Sequence, residues 1–81
     1  MHIEVKLFAN LRKNLPPGST GSKAQLTLED GATIKTLIDQ LKIPVELAQM
    51  VLVNGEQTRE FERPLVDGDT VSIFPPVAGG A

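Results

Sequence analysis

The side chains of this chain offer little catalytic chemistry. Cysteine is absent from its 81 residues, which excludes disulfides, thiolate catalysis and cysteine-ligated metal sites. The one histidine, His2, lies next to the N-terminus, where a chain commonly frays. Ser19 and Ser22 lie in a Gly/Pro/Ser-rich loop that gives a Ser/His/Asp arrangement no fixed geometry, and the acids Glu60 and Glu62 are explained by a solvated strand face. The sequence therefore predicts no catalytic side chains, no metal and no stably bound cofactor.

The remaining chemistry is that of the C-terminal tail. Its residues are, in order, Pro75, Pro76, Val77, Ala78, Gly79, Gly80 and Ala81. The prolines, which have a fixed φ and no N–H, end the hydrogen bonding of the preceding strand and hold the exit extended. Residues 75–80 can reach up to roughly 20 Å beyond the sheet, and the glycines have no Cβ, so the tip could enter another protein's narrow active-site channel. The functional atom would then be the terminal carboxylate; the alternative is a disordered terminus that happens to contain glycine.

Length, composition and charge exclude several classes of protein. A chain of 81 residues forms one domain, and its hydrophobic fraction of 41% and charged fraction of 22% are those of an ordinary soluble protein. The net charge of −2 and the absence of a basic run argue against a nucleic-acid or membrane partner. No stretch has the length of a membrane helix and no signal-peptide pattern is present, so we expect a cytoplasmic protein.

Hydrophobic periodicity predicts the elements that must position the tail. HIEVKLF alternates as a half-buried strand, and AQLTLED is a second strand that pairs antiparallel with it after a loop over 16–22. GATIKTLIDQLKIP predicts a helix over about 33–42, with Thr33 as N-cap and Lys42 in the last turn. Its apolar stripe consists of Ile34, Leu37, Ile38 and Leu41.

The second half of the chain predicts three more strands. MVLVNGEQT contains a strand followed by Asn54-Gly55, which favours a tight type I′ turn. Residues 57–62 return as a short polar strand beneath which Phe61 plugs the core, and TVSIF is the last strand. One helix can cover one face of such a mixed sheet. The order predicts a ubiquitin-like β-grasp fold (α+β), with a domain over 1–76 and a flexible Gly-Gly tail over 77–81.

Strand parity predicts an aromatic patch. Phe8 and Phe74 have the opposite parity to the core positions of the first and last strands, so both are expected on the sheet face away from the helix, where the tail leaves. Adjacent exposed aromatic rings often mark a binding site. The alternative is that the strand ends twist and both rings fold under the long loop.

Four stretches cover nearly the whole chain and carry a family resemblance: IEVKLFANLRK, LEDGATIKTLIDQL, VLVNG and PLVDGDTVSIFPPVAGG. They resemble the MoaD/ThiS sulfur-carrier family, and most of all the MoaD branch, the small subunit of molybdopterin synthase. The final block is the most specific, because L-x-DGD-x-V-x-x-FPPV-x-GG is close to a family signature; LFA-x-LR supports it. Thiamine-pathway members resemble the chain less, since they are usually shorter and lack the Phe-Pro-Pro exit.

The resemblance implies that the second glycine, here Gly80 after Gly79, carries the chemistry. A ubiquitin-activating-like (MoeB-like) enzyme would adenylate its carboxylate with ATP, and sulfur from a persulfide donor would displace AMP and leave a thiocarboxylate. The loaded tail would enter a MoaE-like large synthase subunit, where sulfur is transferred to precursor Z in molybdenum cofactor biosynthesis. All catalytic side chains can come from the partners, so whether this chain counts as an enzyme stays open. The partner-binding residues implied are Phe8, Phe74, Pro75, Pro76, Val77 and Ala78.

The chain departs from the family pattern at its last residue. The family ends on the second glycine, whereas Ala81 follows it here. A protease could remove Ala81, the activating enzyme could accept a Gly-Gly-Ala end, or the chain could be a paralogue with another duty; we favour removal slightly. The alternative functions are a ubiquitin-like modifier joined to lysines, sulfur supply to thiamine, cysteine or a tungsten-enzyme cofactor, and an interaction module whose tail is never activated.

Overall fold

The computed structural model describes residues 1–16 and 19–76 of the chain. Within these residues the chain forms strands, an α-helix and two short 3-10 helices. They are, in chain order, β1 (His2–Leu7), a 3-10 helix (Ala9–Asn14), β2 (Lys23–Thr27), α1 (Ile34–Gln40), a 3-10 helix (Val45–Leu47), β3 (Met50–Val53), β4 (Glu56–Thr58) and β5 (Thr70–Phe74). This is the predicted order of strands and helix.

The strands form a mixed sheet in the order β2-β1-β5-β3-β4. β1 and β5 pair in parallel at its centre, with Leu7 opposite Ile73, and the other neighbours pair antiparallel. The predicted β-grasp fold is therefore confirmed. Because β1 and β5 run in the same direction, both end at one edge of the sheet, at Leu7 and Phe74. We call this the exit edge, since the chain leaves the sheet there.

The core lies between α1 and one face of the sheet. The predicted apolar stripe of the helix is buried, from Ile34 at its start to Leu41 just after its end. It packs in one cluster with the inward residues of the strands, namely Ile3, Val5, Leu7, Val51, Val53, Val71 and Ile73. Each such side chain contributes about 1.5–3 kcal/mol when removed from water. Leu26 in β2 is only partly buried, because β2 is an edge strand of the sheet.

Both ends of α1 have identifiable caps. The Thr33 hydroxyl accepts a hydrogen bond from the Thr36 N–H while the Thr33 N–H donates to the Thr36 hydroxyl, so the predicted N-cap is confirmed. The helix ends at Gln40, two residues before the approximate C-terminus predicted at Lys42. Lys42 has a φ of 61°, and the Ile43 N–H donates to the Ile38 carbonyl at 3.1 Å. This is a Schellman arrangement, in which the left-handed residue stops the helix.

The predicted return strand over 57–62 is wrong in its last four residues, since β4 ends at Thr58. The reason is that the following backbone bonds to the helix instead of the sheet. The Phe61 carbonyl accepts from the Lys35 N–H at 2.8 Å, and the Arg63 carbonyl accepts from the Ile34 N–H at 3.3 Å. These N–H groups belong to the first turn of α1, where no intrahelical acceptor exists. Phe61 packs partly buried against the core from this turn.

The N-terminus is held in the sheet, which corrects the expectation that His2 frays. The terminal amine donates to the Leu28 carbonyl at 2.7 Å, and the Leu28 N–H donates back to the Met1 carbonyl at 2.9 Å. His2 itself pairs with Thr27 of β2. These backbone bonds fix the start of β1, and His2 lies at the end of the strand opposite the exit edge.

Candidate functional site

The start of β5 is fixed by a buried carboxylate. Asp69 is only 6% exposed, and its two oxygens accept hydrogen bonds from the Val66 N–H at 2.9 Å and from the Asn54 amide at 2.8 Å. The Asn54 side-chain oxygen in turn accepts from the Thr70 N–H at 3.0 Å. Asn54 and Gly55 both have positive φ, 52° and 87°, as a type I′ turn requires. The predicted β3–β4 turn is thereby tied to the first residue of β5.

The end of β5 is fixed by a second set of contacts. The Gln49 N–H donates to the Phe74 carbonyl at 3.0 Å, and the Arg59 guanidinium donates from Nη1 to the Gln49 carbonyl at 2.7 Å. Pro75 follows half-buried and Pro76 exposed. Since neither proline has an N–H, the backbone cannot continue donating to the sheet beyond Phe74. β5 therefore delivers the chain out of the sheet at a fixed position.

Phe8 and Phe74 stack on each other at the exit edge. Their ring centroids lie 4.3 Å apart and the rings are 3° from parallel, a stacked arrangement slightly closer than the separation of about 4.5–7 Å usual for aromatic pairs. Both side chains are half-buried, and neither belongs to the core cluster beneath the helix. The structure thus brings together the two rings whose juxtaposition the strand parity predicts. Their role in docking stays a prediction.

The stacked rings form part of an apolar groove of about 810 Å³. Its described lining residues are Phe8, Ala9, Asn10, Gln49, Met50, Gln57, Arg59, Phe74, Pro75 and Pro76. The loop over 16–22 contributes none of them, so the described part of that loop does not cover the rings. Arg59 is the one charged residue among these described lining residues. A groove that is apolar with one charge at its rim suits a protein surface with a matching apolar projection.

Six of these groove residues were not identified from the sequence, namely Ala9, Asn10, Gln49, Met50, Gln57 and Arg59. Met50 lies opposite Phe74 on β3, and the parity argument used for Phe8 and Phe74 could have found it once the β3–β5 pairing was known. Gln49 and Arg59 are joined by a hydrogen bond from the Arg59 side chain to the Gln49 backbone carbonyl. Every residue has such a carbonyl, so the sequence does not indicate which one is bound. The predicted return strand over 57–62 includes Arg59, whereas in the structure Arg59 follows the end of β4 at Thr58.

Backbone strain is located beside the aromatic pair. Ala9 has a φ of 54°, in the left-handed region that costs an L-residue other than glycine about 1–2 kcal/mol. This residue directly follows Phe8 and lines the groove. The turn it makes lets the 3-10 helix begin immediately after β1 without covering the rings.

The predicted tail residues lie outside the described residues. These are Val77, Ala78, Gly79, Gly80 and Ala81. Within residues 1–16 and 19–76, no helix is long and apolar enough to cross a membrane.

Comparisons with known proteins agree with the fold. The sequence profile of the ThiS family matches residues 5–80. The chain is 29% identical to the molybdopterin synthase sulfur carrier subunit of Escherichia coli (strain K12), over 96% of this chain and 99% of that protein. A putative molybdopterin converting factor, subunit 1, from Pyrococcus furiosus superposes with a TM-score of 0.68 at 26% identity, covering 94% of this chain and 98% of that one. The small archaeal modifier protein 1 of H. volcanii gives 0.69 at 28% identity over 94% and 98%.

Proposed function

The chain belongs to the ThiS family, and from that membership we propose that it is a sulfur carrier that serves as the small subunit of a molybdopterin synthase. The curated Escherichia coli relative, which matches over nearly its full length, supports the molybdopterin pathway over the other sulfur-carrier pathways. The observation that carries the proposal is the end of β5, where hydrogen bonding stops at Phe74 and the chain leaves through Pro75 and Pro76 beside a stacked aromatic pair. A carrier needs such a fixed exit, because its reacting group must reach into partner active sites.

The proposed chemistry uses the C-terminal carboxylate of Gly80. At a partner enzyme, a carboxylate oxygen attacks the α-phosphorus of ATP, which breaks the bond to pyrophosphate and forms an acyl adenylate. Persulfide sulfur then attacks the acyl carbon and displaces AMP, and a reducing thiol cleaves the S–S bond to leave the thiocarboxylate. This carrier supplies no acid, base or nucleophile of its own to these steps, and ATP belongs to the partner. The groove at the exit edge is lined mainly by apolar and amide side chains, which suits docking better than catalysis.

The proposed partners are two. A MoeB-like activating enzyme forms the adenylate, and a MoaE-like large subunit receives the loaded tail and transfers its sulfur to precursor Z. Both need access to the same tip, so both are expected to dock at the exit edge in turn. The residues proposed to contact them are Phe8, Phe74, Pro75, Pro76, Val77 and Ala78.

Ala81 must be removed for this chemistry to occur at Gly80, because an amide bond otherwise occupies the glycine carbonyl. We propose that a protease trims Ala81 before activation. The competing possibilities are that the activating enzyme accepts Ala81 as the terminal residue and that the chain serves another duty.

A second candidate function is that of a ubiquitin-like modifier, in which activated Gly80 forms an isopeptide bond with a lysine of another protein. The likeness to the archaeal modifier protein favours it, and the first step, adenylation, is the same. The two functions differ in what displaces AMP: sulfur in the carrier and, ultimately, a lysine amine in the modifier.

Pyrophosphate exchange with truncated chains tests the proposal. The full chain, a chain ending at Gly80 and a matched control ending at Gly79 are incubated with the MoeB-like enzyme of the same organism, ATP and labelled pyrophosphate. We expect exchange, and sulfur incorporation when a persulfide donor is added, only for the chain ending at Gly80. Exchange by the full chain would show that Ala81 itself is activated. Inactivity of both chains that retain Gly80 would contradict the carrier function.

A further inference from the structure

The charges of this protein are separated between the two ends of the sheet. Six of its eight lysines and arginines lie toward the exit edge: on the last part of β1, on the first residue of β2, on the segments that follow β1 and α1, or directly after β4. They are Lys6, Arg12, Lys13, Lys23, Lys42 and Arg59. Five acids lie toward the opposite edge, namely Glu29, Asp30, Glu56, Asp67 and Asp69, whereas among the described residues only Glu46 and Glu60 lie on the segments that adjoin Gln49 and Arg59 at the exit edge. The net charge of −2 therefore conceals a positive exit edge.

Two of these lysines are direct neighbours on the outer face of the sheet. Lys6 of β1 pairs with Lys23 of β2 in the antiparallel register, so both side chains project from the face that carries Phe8. Like charges directly opposite each other destabilise an antiparallel pair. The nearest acid on that face, Glu4, accepts a hydrogen bond from Gln25 at 3.3 Å and forms no ion pair with either lysine. The fold thus retains a repulsive pair beside the aromatic patch.

Arg59 places a further cation on the other side of the patch. Its Nη1 donates to the Gln49 carbonyl, which holds the exposed guanidinium at the rim of the groove. In the part of the chain that the structure describes, ion pairs join Met1 to Asp30 and Lys35 to Asp39. None of the six cations near the exit edge takes part in either. The remaining N–H groups of Arg59 can therefore bind a carboxylate of another protein.

We propose that the exit edge recognises an acidic protein surface, whose carboxylates surround an apolar projection that fills the groove of Phe8 and Phe74. This inference rests on the proposed docking of the tail's partners at this edge, and it specifies the chemistry of their receiving face. Lys6 and Lys23 contact carboxylates on the β2 side of the patch, and Arg59 contacts one on the β4 side. The occupant is a protein, because the groove between the cations is apolar.

The charge separation also orients the encounter. A partner with an acidic face is repelled by the chain as a whole at long range, since the net charge is −2, and is attracted only at the exit edge. Complementary fields of this kind raise association rates and suppress wrong orientations. For a carrier whose reacting group lies at the end of its tail, only one orientation is productive. The association rate should therefore fall with increasing salt.

Charge reversals with opposite effects on folding and binding test this proposal. Lys23→Glu replaces a repulsive neighbour of Lys6 with an attractive one, so the melting temperature should be unchanged or higher. Its association rate with the MoeB-like enzyme, measured by stopped flow at about 20 mM ionic strength, should fall about tenfold. The association rate of Arg59→Glu should fall by a similar factor. Arg63→Glu makes the same change of charge at an exposed residue away from the groove and should stay within about twofold of the wild type.

The outcomes separate this proposal from the docking role itself. The deficits of Lys23→Glu and Arg59→Glu should shrink at about 0.5 M salt, where exposed charges are screened. If Phe74→Asp weakens binding roughly thirtyfold but both charge reversals match Arg63→Glu, docking at the exit edge is supported and the proposed acidic surface is wrong. If the wild type does not bind at low ionic strength, the docking role fails and this proposal fails with it. A lower melting temperature for Lys23→Glu would contradict the claim that Lys6 and Lys23 repel each other in the folded protein.

Discussion

At the scale of single residues, Phe8 and Phe74 distinguish a binding surface from a core. A half-buried stack outside the helix-covered core contributes less to stability than a buried ring, yet it presents two aromatic surfaces to a partner. Phe61 provides the contrast, because this ring is also half-buried but packs against the core cluster. Variants of Phe61 can therefore serve as controls for variants of Phe8 and Phe74.

Replacing Phe8 or Phe74 with aspartate should leave the fold intact and weaken partner binding. We expect a loss of about 2 kcal/mol in binding free energy, or roughly thirtyfold in affinity for the MoeB-like enzyme or the large subunit. The free energy of unfolding should change by less than about 1 kcal/mol. Urea denaturation and isothermal titration calorimetry on the same samples measure both quantities.

Phe61→Asp is the control for this pair of variants. It should lower the free energy of unfolding by about 3 kcal/mol or more, because a charge would replace a ring that packs on the core. Its remaining folded fraction should bind with the affinity of the wild type. If Phe8→Asp or Phe74→Asp instead behaves as Phe61→Asp should, the rings are structural and the docking site lies elsewhere.

The sequence was sufficient to predict the aromatic pair but not the residues around it. Parity placed Phe8 and Phe74 on the outer face because each directly adjoins a clean alternation of buried residues. Arg59 could not be found in the same way, since its position depends on β4 ending one residue earlier and on a bond to the backbone of Gln49.

At the scale of elements, α1 and β4 show which boundaries can be predicted from neighbouring residues and which depend on distant contacts. The start of α1 was predicted because Thr33 caps it through a neighbour three residues away. Its end was not, because the left-handed residue that stops the helix is usually glycine and here is Lys42. The length of β4 depends on the carbonyls of Phe61 and Arg63, which bond to α1. Such contacts join segments far apart in sequence, and periodicity does not report them.

The cap of α1 should affect stability and leave docking unchanged. Thr33→Ala removes the acceptor of the Thr36 N–H, and we expect a loss of about 1 kcal/mol in the free energy of unfolding. Thr36→Ala, which keeps that acceptor and removes only the reciprocal hydroxyl, should lose less. Partner affinity should be unaltered in both, since the helix begins away from the exit edge. Equal losses in the two variants, measured by urea denaturation, would show that the Thr33 hydroxyl is not the principal cap.

At the scale of the whole molecule, the fold could be predicted from the sequence, but the distribution of charge over its surface could not. The order of strands and helix, together with the parallel pairing of the first and last strands, follows from periodicity and the rules of sheet topology. The separation of charge requires the register, because Lys6 and Lys23 are neighbours only through the pairing of β1 with β2. A net charge of −2 gave no indication of a positive exit edge.

The mass of the intact protein purified from its native host shows whether this chain carries sulfur at Gly80. For a sulfur carrier we expect a chain that ends at Gly80, with one oxygen of the terminal carboxylate replaced by sulfur. The same protein from a strain without the MoeB-like enzyme should end at Gly80 with an ordinary carboxylate. Recovery of the chain with Ala81 unmodified in every molecule would contradict the carrier function, and recovery of Gly80 joined to lysines of other proteins would indicate the modifier function instead.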